Sequence, residues 1–262
     1  MTTVGFIGTG NMGSALARAA AKSKAADRIL LSNRTSEKAL HLADEIGAEA
    51  ADNITVAKES DVLFIAVKPQ MLEEMVTGIN DVLKGRKDRF VIVSMVAGKD
   101  LKYLKELFED KPVIRIMPNI PVAVGGGITL YTTMADVTSE EKDFLEKLLA
   151  ASGTVSEIDE RLLDAATGIT GCGPAYAAMF IEALADGAVA CGLPRTQAIN
   201  YAALMVSGTA SLILQTGEHP DALKDRVCSP GGSTIQGVRS LEKDAFRSAV
   251  MNAVIAAYEK EF

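Results

Sequence analysis

Tryptophan is absent, and aromatic residues make up only 5% of the 262-residue chain. Base stacking needs aromatic platforms, so single-stranded nucleic acid is a poor partner. Basic charge is also in deficit: 27 Lys and Arg against 34 Asp and Glu leave a net charge of −7, with no long basic run. A phosphate-backbone binder needs a positive face, so no nucleic-acid partner is expected. The three cysteines, Cys172, Cys191 and Cys228, are odd in number and form no CxxC pair. Neither a disulfide framework nor a structural zinc site follows from that spacing. His41 and His219 lie far apart without metal-ligand spacing and read as surface or turn residues, so no metal is expected. No stretch of about 18 uncharged apolar residues occurs, so no membrane span is expected. The most apolar segment, 175–193, carries Glu182 and Asp186. The chain enters Thr3-Val4-Gly5-Phe6-Ile7-Gly8 with no basic region ahead of an apolar one. No signal peptide is expected, and a reducing cytoplasm fits.

What is present is core material. Hydrophobic residues are 48% of the chain, which excludes disorder as the dominant state. Length allows one large domain or two modest ones. The first part alternates short apolar runs (4–7, 29–31, 62–67, 90–95, 113–117, 128–131) with helical stretches (12–21, 36–46, 71–83, 101–107, 140–151). That alternation predicts an α/β doubly wound parallel sheet over residues 1–158, with helices on both faces. After about residue 158 strand signals stop. Alanine-rich helices are expected at 160–167, 175–191, 195–214, 222–227, 234–241 and 245–260, an all-α domain over 159–262. Helix 175–191 is apolar around most of its circumference and must be buried on nearly all sides. About 100 residues of helix can hardly enclose it, so a dimer through this half is expected.

Gly8-Thr9-Gly10-Asn11-Met12-Gly13 matches GxGxxG between an expected strand and an expected helix. Gly8 permits the tight turn, Gly10 removes a Cβ that would block a pyrophosphate, and Gly13 lets helix and strand pack closely. The pyrophosphate rests on free N–H groups at the helix start. At the end of the second strand, Ser32-Asn33-Arg34-Thr35 holds no acid to bond a ribose 2′-OH. Arg34 can instead grip a 2′-phosphate, which points to NADPH; the alternative is an ordinary surface arginine. Ala66-Val67-Lys68-Pro69 ends the next strand, where doubly wound sheets place ligands. Lys68 either touches the cofactor or caps the strand. Asn53 either faces the nucleotide or caps a helix. Ser229-Pro230-Gly231-Gly232-Ser233-Thr234 leads into a helix, an anion cradle suited to a small carboxylate; a ligand-free helix start is the alternative.

These motifs, with Thr167-Gly168-Ile169-Thr170-Gly171-Cys172-Gly173-Pro174-Ala175-Tyr176, resemble pyrroline-5-carboxylate reductases across essentially the whole chain. The resemblance implies reduction of 1-pyrroline-5-carboxylate to L-proline with NADPH, or NADH as the alternative donor. It implies a Rossmann domain followed by a helical dimerisation domain, with dimers often assembled into larger rings. It places Ile7, Gly8, Thr9, Gly10, Asn11 and Met12 against the cofactor. Asn33, Arg34, Thr35, Asn53, Ala66, Val67, Lys68 and Pro69 join them, with the Met95, Val96 and Ala97 backbone near the nicotinamide. Gly231, Gly232, Ser233 and Thr234 bind the substrate, with Thr234 as the catalytic contact and Glu160 nearby. Thr170 and Cys172 stand where the family typically has serine, and Arg226 has no assigned role.

A β-hydroxyacid dehydrogenase shares the opening motif but needs a general acid/base lysine early in its second domain. No lysine lies between Lys147 and Lys224. A nonenzymatic NADPH sensor would not require the Ser229–Thr234 cradle.

Overall fold

The computed structural model describes residues 2–109 and 111–261. Its strands are β1 (Thr3–Ile7), β2 (Arg28–Ser32), β3 (Glu49–Ala50), β4 (Val62–Ile65), β5 (Val91–Ser94), β6 (Val113–Pro118), β7 (Gly127–Thr133) and β8 (Gly153–Glu157). They form one sheet in the order β3-β2-β1-β4-β5-β6-β7-β8. Neighbours pair in parallel, except that β7 runs antiparallel to β6. The first six strands therefore follow the doubly wound order, whose strand sequence reverses between β1 and β4 and opens a ligand crevice at their C-terminal ends.

The helices of this part are α1 (Asn11–Ser23), α2 (Ser36–Ile46), α3 (Asn53–Glu59), α4 (Leu72–Gly85), α5 (Leu101–Leu107), α6 (Ser139–Leu149) and α7 (Glu160–Thr170). Side chains alternate across each strand, so one face receives Phe6, Phe64 and Val93 and the other Ile7, Leu63, Ile65 and Ile92. Leu16, Leu42, Leu145 and Leu148 from α1, α2 and α6 cover the first face. Val56, Leu72, Ile79 and Leu104 from α3, α4 and α5 cover the second. Phe6 and Phe64 stack with ring centroids 4.4 Å apart. With both faces covered, β1, β4 and β5 are buried along their whole length.

The chain divides into two compact units, one up to Gly171 and one over Cys172–Lys260. This division falls beyond the 158/159 boundary read from composition, because α7 is tied to the sheet. Buried Arg115 on β6, 2% exposed, donates from Nη2 to Asp164 Oδ1 at 3.1 Å and from Nη1 to Glu160 Oε1 at 3.5 Å. Glu160 Oε1 also accepts the Leu101 N–H at 2.6 Å. Farther along, Asn119 Nδ2 donates to the Thr170 carbonyl at 3.0 Å.

The second unit consists of α8 (Gly173–Ala190), α9 (Arg195–Thr216), α10 (Pro220–Val227), α11 (Ser233–Lys243) and α12 (Phe246–Glu261). Within it, the Tyr176 hydroxyl donates to the Ala253 carbonyl at 3.1 Å, and Phe180 meets Phe246 at 5.8 Å between centroids. The expected burial of the apolar helix is not met inside one chain: on α8 only Ala185 is buried, and Met179 is 69% exposed. On α9, Leu204 and Leu214 are 64% and 84% exposed. By length and composition α9 is also apolar enough to cross a membrane, which departs from the expectation of no such segment.

Candidate active site

The crevice at the β1 and β4 ends is built by glycines. Gly8 has φ +105°, and a Cβ there would lie 2.4 Å from the Ala66 carbonyl oxygen. A Cβ on Gly13 would lie 2.1 Å from the Gly8 carbonyl oxygen, so α1 approaches β1 too closely for any side chain. Gly10 differs: a Cβ there meets nothing within 4 Å, and the open space lies over the start of α1. Gly10 is the N-cap, no side chain caps the helix, and its first turn holds no acid. The first-turn N–H groups are left for an anion.

The end of β2 is wired to this turn. Asn33 Oδ1 accepts the Thr9 N–H at 3.1 Å, and Asn33 Nδ2 donates to the Thr35 carbonyl at 3.0 Å. Ser32 Oγ donates to Asn53 Oδ1 at 2.6 Å. The cap of α3 is Asp52, which accepts the Thr55 N–H at 2.7 Å; that bond lowers the Asp52 carboxyl below its ordinary range. Asn53 is thus the first helical residue rather than the cap, and its side chain serves the crevice.

A cavity of about 700 Å³ occupies the crevice. Among the expected cofactor residues, Ile7, Gly8, Gly10, Asn33, Arg34, Thr35, Asn53, Ala66, Val67 and Lys68 line it. Thr9, Asn11, Met12, Pro69, Met95, Val96 and Ala97 do not. Thr9 is buried beneath the turn, and Met12 and Met95 pack against the core. Val96 is buried as a whole residue. Lys38, Gln70, Met71, Glu74, Met75 and Gly78 also line the cavity and were missed. Lys38 and the α4 positions carry no motif; their placement follows from how α2 and α4 flank the crevice.

In the second unit, Gly231 has φ +71° and Gly232 is the N-cap of α11, without a side-chain cap or an acid in the first turn. The Gly232 N–H donates to the Ser229 carbonyl at 3.0 Å. Ser233 and Thr234 open the helix and are exposed. Arg226, unassigned from sequence, pairs with Glu218 at 3.0 Å. Glu160, expected near the substrate, accepts the Leu101 N–H and an Arg115 N–H, both on Oε1.

Residues 160–261 match the family described as pyrroline-5-carboxylate reductase dimerisation, and residues 3–98 match NADP oxidoreductase coenzyme F420-dependent. The chain is 41% identical over 261 residues to pyrroline-5-carboxylate reductase of Escherichia coli, covering 98% of this chain and 96% of that protein. The chain belongs to the pyrroline-5-carboxylate reductase family. The Arabidopsis thaliana pyrroline-5-carboxylate reductase is 40% identical over 98% of this chain and 93% of its own. The Plasmodium falciparum pyrroline carboxylate reductase, solved with NADP bound, superposes with a TM-score of 0.87 at 31% identity, over 99% of this chain and 97% of that one. As a member of this family the chain is an NAD(P)H-dependent oxidoreductase with a dimerisation domain. The exposed apolar faces of α8 and α9 are the surface such a domain would cover.

Proposed function

We propose that this chain reduces the ring C=N bond of 1-pyrroline-5-carboxylate to give L-proline, the last step of proline biosynthesis, with NADPH preferred over NADH. The observation that carries the reading is the glycine cradle at α1 beside Arg34, which has no carboxylate partner among the described residues. The residues fit a dinucleotide: space over Gly10 is open, α1 is uncapped, and the cavity is concave and large enough. NADPH, when bound, supplies the hydride. The first-turn amides of α1 hold the pyrophosphate, and Arg34 holds the 2′-phosphate. Residues 159–262 serve as dimerisation and substrate domain, the first level of a larger ring of dimers, in the cytoplasm.

For the substrate, the amides at the start of α11 with Ser233 bind the carboxylate, and the Thr234 hydroxyl meets the ring nitrogen. A hydroxyl can accept from a protonated imine or donate to a neutral one. An imine nitrogen of moderate basicity arrives already protonated, so no strong acid is needed at the site. What remains is orientation and exclusion of water. The test is NADPH consumption on adding the cyclic imine to purified protein. Consumption without the imine, or none with it, would sink the reading.

A further inference from the structure

Every other described arginine up to Gly171 is salt-bridged; Arg34 is not. Lys38, the third residue of α2, likewise has no acidic partner among the described residues. Both line the crevice cavity, whereas Glu37 between them does not. The lining carries three cations, Arg34, Lys38 and Lys68, against one acid, Glu74, in a chain whose net charge is −7. None of the three has an acidic partner among the described residues, and Arg34 and Lys38 lie four positions apart at the entry to α2, so the lining favours an anionic ligand beside them. The start of α1 already provides for the pyrophosphate.

We propose that Lys38 is a second specificity-determining residue, forming with Arg34 a two-cation clamp on the adenosine 2′-phosphate. The proposal rests on the NADPH reading above. A phosphomonoester carries nearly two negative charges at neutral pH, and one guanidinium balances only one of them. Arg34 supplies a planar fork with bidentate geometry. Lys38 supplies a mobile point charge on a flexible stem, which adapts to the oxygens the fork leaves free. Both side chains are exposed, so salt screens the gain. NADH, which lacks the phosphate, gains nothing from the clamp.

The experiment is calorimetric titration of the full-length protein with NADP+, NAD+ and 2′,5′-ADP, without substrate. Lys38→Gln should weaken NADP+ and 2′,5′-ADP about tenfold while NAD+ changes by less than about twofold, with melting temperature unchanged. Lys38→Arg should stay within about threefold of the unmodified protein, since the charge survives. If Arg34→Gln weakens NADP+ and Lys38→Gln does not, the clamp is wrong and the NADPH reading stands. Equal losses for NAD+ and NADP+ in Lys38→Gln also overturn the clamp. If the unmodified protein binds NADP+ no tighter than NAD+, the NADPH reading itself fails, and the clamp with it.

Discussion

Replacing Gly13 by alanine separates the scaffold role of the glycine turn from its ligand role. Alanine is intrinsically better than glycine in a helix by about 1 kcal/mol. Against this stands the contact with Gly8: the new Cβ would sit 2.1 Å from a carbonyl oxygen, where ordinary contact begins at 3.4 Å. That oxygen belongs to the backbone and cannot rotate away, so α1 must retreat from β1 by about 1 Å. Such overpacking costs roughly 1–3 kcal/mol. The two effects partly cancel, and the melting temperature should fall by only a few degrees, at about 2–4 °C per kcal/mol for this size. The first turn of α1, which offers the anion-binding N–H groups, moves with the helix. Losing the alignment of one such N–H with a charged phosphate costs about 1.5–3 kcal/mol, roughly 10- to 100-fold in affinity. NADPH affinity, measured by calorimetry on the same preparation, should therefore drop far more than stability. Affinity within about twofold of the parent, with α1 shown displaced, would refute the assignment of the α1 start as the pyrophosphate site.

Arg34→Ala should raise the apparent KM for NADPH about tenfold and leave that for NADH within about twofold, the scale of one screened charge-assisted contact; equal effects would show that Arg34 does not read the phosphate. Thr234→Ala should lower kcat/KM for the imine about tenfold at unchanged cofactor affinity, while Thr234→Ser keeps most activity. A lower melting temperature with unchanged kinetics would instead mark Thr234 as a helix-start residue alone. Sedimentation at micromolar concentration should show no appreciable monomer, because the faces of α8 and α9 carrying Met179, Leu204 and Leu214 lack cover within one chain. A well-behaved folded monomer would contradict this.

The inner strands were legible because burial on both faces makes them near-continuous apolar runs, as in Val62–Ile65 and Val91–Ser94. The two sheet edges were not. Strand β3 is two residues long, and β8, Gly153–Glu157, is half-exposed and polar, so neither carries a hydrophobic signature. The turn from β1 into α1 was legible from spacing, and Gly8 and Gly13 show the contacts that forbid a side chain. The α4 wall of the cavity was not legible: Glu74, Met75 and Gly78 become a surface for a ligand only through the crossover that brings α4 beside the β4 end. The ties of α7 to the sheet were not legible either. The hydrogen bonds that bind it to the sheet come from Arg115 and Asn119, more than 40 residues earlier in the chain.

Transfer of a hydride from NADPH to the imine carbon is the step on which every role above depends. The direct measurement is turnover of 1-pyrroline-5-carboxylate with NADPH carrying deuterium at the transferable position, with the product read by mass spectrometry and NMR. The account predicts L-proline with one deuterium on the ring carbon that was double-bonded to nitrogen. Proline without deuterium, deuterium at another carbon, or no proline at all would contradict it.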